Sequence, residues 1–169
     1  ITNTYKNLQT KMIKVTLIKK WVGDTGNGAT FNIKNIDVPN DNGIDVQVTD
    51  PTWRVEKELR KYNDDGTLAK YKVTEHNIIG FNSDKPDGEE ITKDGQEIIF
   101  TNTQIKQKLT IKKEWVGTPN NAAFTLTYQY KGSEITKKLS IPSDGSTVTE
   151  ILPVYDLNGD VISYTVTEE

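Results

Sequence analysis

Apolar side chains in this chain alternate with polar ones at a period of two, in short runs bounded by turn-forming residues. That is the pattern of half-buried strands. Val15, Leu17, Lys19 and Trp21 share one phase, and Leu109, Ile111, Lys113 and Trp115 repeat it. Tyr71, Val73 and Glu75 alternate with Lys72 and Thr74, as Tyr164, Val166 and Glu168 do with Thr165 and Thr167. Ile98, Phe100 and Asn102 form a further set. Asn63-Asp64-Asp65-Gly66 and Asn158-Gly159 lie between such runs and predict hairpin turns. No segment carries convincing helical periodicity, and much of residues 82–96 reads as loop.

The pattern occurs twice. KVTLIKKWVG at 14–23 and KLTIKKEWVG at 108–117 agree at six of ten positions, at an offset of 94. Leu59, Tyr62, Gly66, Tyr71, Val73 and Glu75 return as Leu152, Tyr155, Gly159, Tyr164, Val166 and Glu168, at an offset of 93. A third match, Thr-Asn-Thr at 2–4 and at 101–103, follows an apolar residue each time. We therefore expect residues 1–8 to carry the last strand of a preceding repeat and residues 11–104 to form one complete domain. Residues 107–169 would form a second domain that lacks its final strand within this chain. A unit of roughly 90 residues with several strands and no helix is most economically a two-sheet sandwich of immunoglobulin-like type. The expected class is all-β, with tandem domains.

Composition narrows the function. The 169 residues are 34% hydrophobic, but the apolar share is concentrated in Val, Ile, Tyr, Phe and Trp, which suit strands. No apolar run approaches the roughly 20 residues of a membrane-spanning helix. There is no Cys, so neither a disulfide framework nor thiol chemistry is available, and the single His76 argues against a histidine metal cage or triad. His76 is expected at the surface beside Glu75. The net charge of −3 is spread without blocks, which gives no footing for nucleic acid or an anionic membrane. No Gly-x-Ser-x-Gly elbow is present, and the acidic pairs Asp64-Asp65 and Glu89-Glu90 sit in turn-like contexts. We expect no cofactor, no metal and no turnover on an external substrate.

The informative feature is a conflict inside the pattern. Residues i, i+2 and i+4 of a strand face one way, so Lys19, Glu75 and Asn102 each fall on an apolar, inward phase. Singly each would be an ordinary polar residue at a strand end. Lys113, Glu168 and Asn3 repeat the same types in the same phases, which calls for a shared cause. An apolar surrounding lowers an amine's pKa and raises a carboxyl's, so both can be neutral. A neutral ε-amine can attack an Asn side-chain carbonyl while a carboxylic acid donates to its oxygen and shuttles protons. Ammonia leaves and a Lys–Asn isopeptide bond remains, made once by the protein on itself.

Three motifs resemble those of collagen-adhesin B-type domains of Gram-positive surface proteins. They are Lys-x-Trp at Lys19 and Lys113, Tyr-x-Val-x-Glu ending at Glu75 and Glu168, and Phe100-Thr101-Asn102-Thr103. Tyr-x-Val-x-Glu also resembles the E-box of Gram-positive pilins, although the proline often found there is replaced by His76-Asn77-Ile78-Ile79-Gly80-Phe81. The resemblance implies a Lys19–Asn102 cross-link with Glu75 as catalytic acid. It also implies a Lys113–Glu168 pair awaiting an Asn, and Asn3 as a last-strand Asn without its domain. It further implies an extracellular, cell-wall location and a stalk built with neighbouring repeats of the same protein. A bolder expectation is that the segment around Asn3 completes the second repeat of another copy, linking copies head to tail. An adhesive module for host matrix or carbohydrate is the alternative. Trp53, outside the repeated motifs, is its candidate contact residue, though Trp53 and Val55 alternate like core positions of a strand.

Overall fold

A computed structural model of the chain describes residues 7–169. Asn3 and most of the strand expected over 1–8 lie outside the described residues, and residues 7–9 form one helical turn. The chain divides into two compact units, residues 1–103 and 104–169.

In the first unit, β1 (Met12–Val22), β4 (Arg54–Arg60), β6 (Phe81–Ser83) and β8 (Gln96–Gln104) form one sheet in the order β4-β1-β8-β6. The other sheet contains β2 (Ala29–Asn35), β3 (Ile44–Val48), β5 (Tyr71–Glu75) and β7 (Glu89–Ile91), in the order β3-β2-β5-β7. β1 pairs antiparallel with β4, as β2 does with β3 and β5 and as β5 does with β7, whereas β1 and β8 run parallel with Val15 opposite Gln96 and Val22 opposite Thr103. Every second side chain of each strand enters the space between the sheets. Val15, Leu17, Phe31, Ile33, Val73, Ile98 and Phe100 are buried there at 2% exposure or less. Each such side chain stabilises the fold by roughly 1.5–3 kcal/mol through apolar burial. Residues 82–96, much of which was expected to be loop, are largely loop and also supply much of β6 and all of β7. Strands of three residues are too short to carry a visible period, so their pairing is set by the sheets they join.

The second unit contains β9 (Lys106–Lys112), β10 (Ala122–Tyr130), β11 (Ser133–Ile141), β12 (Thr147–Pro153) and β13 (Thr165–Glu168). They form the sheets β12-β9 and β11-β10-β13. These strands correspond in order to β1 to β5. The core is smaller and centres on Phe124, Leu126, Ile141 and Leu152.

The repeated tyrosines and glycines now have a physical account. Tyr71 Oη donates to the Arg60 carbonyl at 2.7 Å, and Tyr164 Oη donates to the Pro153 carbonyl. Each ties the strand carrying the glutamate to the end of the strand before it. Burial pushes the Tyr164 hydroxyl up to about 12, so the tether keeps its proton. Between the tethered strands lies a tight turn whose glycine adopts positive φ, 84° at Gly66 and 86° at Gly159. That conformation strains any residue with a β-carbon.

Candidate functional site

The interior of the first unit is apolar at one end and polar at the other. Lys19 lies two residues beyond Leu17 on the inward face of β1, and its backbone N–H donates to the Trp53 carbonyl at 2.8 Å. The side chain is fully buried, and Nζ lies 2.6 Å from Glu75 Oε1, whose own side chain is 4% exposed. Glu75 arrives from the other sheet as the last residue of β5. Asn102 stands on β8 at 1% exposure, and its Oδ1 is buried without a hydrogen-bond partner. Because β1 and β8 run parallel in this register, Lys19 and Asn102 are diagonal neighbours on one face. The structure thus brings three expected residues, Lys19, Glu75 and Asn102, into one buried cluster.

Each polar member faces an aromatic ring across its sheet. Lys19 pairs with Phe100, Asn102 with Trp21 and Glu75 with Phe31. Trp21 contacts Phe81 and Trp53 edge-on at centroid distances of 4.9 and 5.5 Å. Lys19 Nζ lies 4.6 Å from the centre of the Trp21 ring. This aromatic shell excludes water from the amine. Burial accordingly lowers the Lys19 pKa, and the bond to Glu75, its charge and that of Asp84 only partly oppose the shift. The neutral, nucleophilic amine is therefore easier to reach than on an exposed lysine. A cavity of about 430 Å³ opens beside the cluster, with Glu75 and Asn102 in its wall together with Ile78, Phe81 and Ser83.

Burial of this pair says little for stability by itself, since desolvation offsets most of the attraction. An unpartnered buried carbonyl costs a further ~1–3 kcal/mol. A native core that tolerates both is under a constraint other than packing. What the arrangement can do chemically is amide exchange, with an amine, a carboxyl and a carboxamide held together away from water.

In the second unit Lys113 comes directly after β9, and its Nζ lies 2.6 Å from Glu168 Oε1, with side chains 20% and 46% exposed. Lys113 Nζ lies 4.5 Å from the Trp115 ring centre, as Lys19 does from Trp21. The two pairs share geometry and differ in solvent access. Trp53, the residue suggested for sugar stacking, is half-buried against the core and engaged by Trp21. His76 is at the surface, with Nε2 3.2 Å from Asp45. Among the described residues no group of three or more His, Asp or Glu side chains gathers to hold a metal.

Three contributors escaped the sequence pattern. Asp84 and Lys85 lie in the segment read as loop, where no periodicity pointed to them. Gly26 carries no side chain, and a β-carbon there would stand 2.4 Å from Trp21 Cη2. Gly26→Ala must therefore displace the Trp21 ring. A loss of about 1–3 kcal/mol is expected in urea unfolding, as for other overpacked cores.

No family model and no curated protein matches the chain. Solved structures do. The Bacillus anthracis TIE protein aligns at a TM-score of 0.53 and 22% identity, over 94% of this chain and 28% of that one. The major pilin protein of Streptococcus pyogenes aligns at 0.51 and 15% identity, over 95% of this chain and 82% of that one. A point mutant of the Streptococcus pyogenes major pilin gives 0.51 and 16%, over 94% and 82%. The chain thus spans little more than a quarter of the Bacillus anthracis chain and most of the pilin chain. At these identities the likeness establishes the fold.

Proposed function

The fold is the immunoglobulin-like sandwich found in Gram-positive pilins, and from that premise we propose that this chain is a structural stalk segment of a Gram-positive surface adhesin or pilin. Its first unit closes itself with a Lys19–Asn102 isopeptide bond. One observation carries this reading: a buried lysine paired at 2.6 Å with a buried glutamate, on the same face as a buried carboxamide whose oxygen has no partner.

With the proton of their 2.6 Å hydrogen bond passed to Glu75, Lys19 Nζ attacks Asn102 Cγ while Glu75 donates that proton to Oδ1. Glu75 then carries a proton from Nζ to Nδ2, the Cγ–Nδ2 bond breaks as Oδ1 returns its proton to Glu75, and ammonia departs through the cavity. One C–N bond is made and one is broken, so no oxidant, metal or cofactor is required. Amide exchange is very slow in water, and burial in a fixed geometry supplies an effective molarity on the order of 10⁵–10⁸ M. The reaction happens once, so the protein is structural rather than an enzyme with turnover.

The bond suits a stalk for a mechanical reason. β1 and β8 are parallel neighbours, so tension entering at Met12 and leaving beyond Thr103 loads the pair in shear. A 19–102 cross-link passes that tension through covalent bonds and spares the residues between. With no Cys in the chain, it fills the role disulfides play in other extracellular proteins.

A second reading concerns the other unit. Among the described residues β9 pairs only with β12, whereas β1 has β8 on its other edge. A strand bearing an Asn and added in parallel along β9 would meet Lys113 and Glu168. Asn3 of another copy is the candidate, giving a head-to-tail covalent chain.

One experiment tests both. Intact mass under denaturing conditions should fall about 17 Da below that of the sequence, the mass of one ammonia. Lys19→Ala should restore the full mass. Deamidation at Asn27, Asn42 or Asn158 would instead add about 1 Da. An unmodified wild-type mass overturns the cross-link. Boiling-resistant dimers on a denaturing gel, abolished by Asn3→Ala and by Lys113→Ala, are expected from the head-to-tail reading. Monomer alone at high concentration overturns it.

A further inference from the structure

On the outer edge of β8, the short strand β6 is continued by the two residues that follow it. β6 ends at Ser83, leaving the backbone of residues 99–101 to be satisfied by Asp84 and Lys85. Asp84 grips the Thr101 residue at both its backbone groups. Its N–H donates to the Thr101 carbonyl at 2.9 Å, and its Oδ1 accepts from the Thr101 N–H at 2.8 Å. Lys85 Nζ donates to the Ile99 carbonyl at 2.6 Å, lies 5.8 Å from the Phe100 ring centre and is 3.4 Å from Asp84 Oδ2. Residues 99 to 101 of β8 are thus held from one side by β1 and from the other by these two residues, immediately before Asn102.

We propose that Asp84 and Lys85 are positioning residues for the cross-linking reaction, fixing β8 so that the Asn102 carboxamide is presented to Lys19. The proposal rests on the Lys19–Asn102 reading above. Neither side chain touches the reacting atoms; both act through the backbone that carries Asn102. A displacement near 1 Å is enough to cost such a reaction on the order of 10²-fold, so a missing clamp should appear in the rate.

Asp84 also has an opposing influence. The ionisable groups that face Lys19 are Glu75 from β5 and Asp84 after β6, and the negative charge of Asp84 favours the protonated amine. Position and charge can therefore be separated. Asp84→Asn keeps an oxygen to accept from Thr101 N–H and removes the charge. Asp84→Ala removes both.

The test is a time course in the full chain. Protein made by cell-free synthesis at fixed pH is quenched at intervals into denaturing acid, and the fraction lighter by one ammonia is read by mass. Asp84→Ala should slow formation about tenfold or more. Asp84→Asn should react at least as fast as wild type, with its pH–rate profile moved to lower pH. Lys85→Met, which keeps the apolar stem but not the bond to Ile99, should also be slow. Asp84→Ala at the wild-type rate overturns the proposal. So does equal slowing in Asp84→Ala and Asp84→Asn, which would mean that the shared acceptor oxygen does not matter. If wild type itself loses no ammonia, the cross-link reading fails and this proposal fails with it. Normal wild-type kinetics with unaffected variants sinks only the clamp.

Discussion

Asn102→Ala is expected to lower the unfolding free energy by roughly 4–5 kcal/mol, read as a fall in the urea midpoint. The magnitude comes from the loop that the bond closes. About 84 residues lie between and including Lys19 and Asn102, and a cross-link of that span removes this much entropy from the unfolded chain. Asn102 is the informative position because the substitution removes the group that Lys19 would attack and leaves Lys19 with Glu75 as its partner, so no buried charge is stranded. The stability change then reports mainly on the covalent bond. A loss below about 1 kcal/mol, with the mass unchanged from that expected of the sequence, would show that no bond had formed in wild type.

The same variant should acquire a pH dependence that wild type lacks. In the unreacted protein burial lowers the Lys19 pKa from its ordinary value of 10.5. Between the lowered value and 10.5 the unfolded state binds a proton that the folded state does not, so stability rises with pH across that window. Below it both states are protonated and the destabilisation is present in full. In the proposed cross-linked protein the Lys19 nitrogen would be an amide that does not titrate, so this slope is expected to disappear. Urea midpoints measured from neutral pH to about pH 10.5 should rise for Asn102→Ala and show no such rise from this group in wild type.

Glu75→Ala should be the most damaging single change. It removes the proton carrier, so the full mass returns and the contribution of the cross-link is lost. It also leaves Lys19 buried without its partner, and breaking a buried pair from one side costs a further ~3–5 kcal/mol. Together these losses are comparable with the whole stability of a small domain, about 5–15 kcal/mol. Partial unfolding or poor soluble yield is therefore expected. Glu75→Gln separates the two effects. It preserves shape and a polar neighbour for Lys19 but cannot relay protons, so the domain should fold while bond formation slows by about 10²–10⁴-fold. A Glu75→Gln protein that loses ammonia at the wild-type rate would remove Glu75 from the mechanism.

Lys113 and Glu168 give an internal comparison. Their nitrogen–oxygen distance equals that of Lys19 and Glu75, yet Glu168 is about half exposed. Solvent at that site screens the charges. The pair is the same, and its surroundings decide what it can do.

Much of this was legible in the chain. Period-two alternation placed Lys19, Glu75 and Asn102 on inward phases because a strand turns its side chains to alternate faces whatever its neighbours are. The repeat at offsets of 93 and 94 showed that these placements were not accidents of one strand. The tethering tyrosines Tyr71 and Tyr164 were visible as recurring letters, but their bonds to the Arg60 and Pro153 carbonyls were not. Local pattern determines which face a side chain takes. It does not determine which strands meet, how they slide against one another, or how deeply a given inward position is buried. The parallel pairing of β1 with β8, the register that sets Asn102 two positions from the residue opposite Lys19, the short strands β6 and β7, the clamp of Asp84 and Lys85, and the difference in exposure between Glu75 and Glu168 were decided by the tertiary structure. Each depends on contacts between residues distant in sequence, and those form only when the two sheets close on a common core.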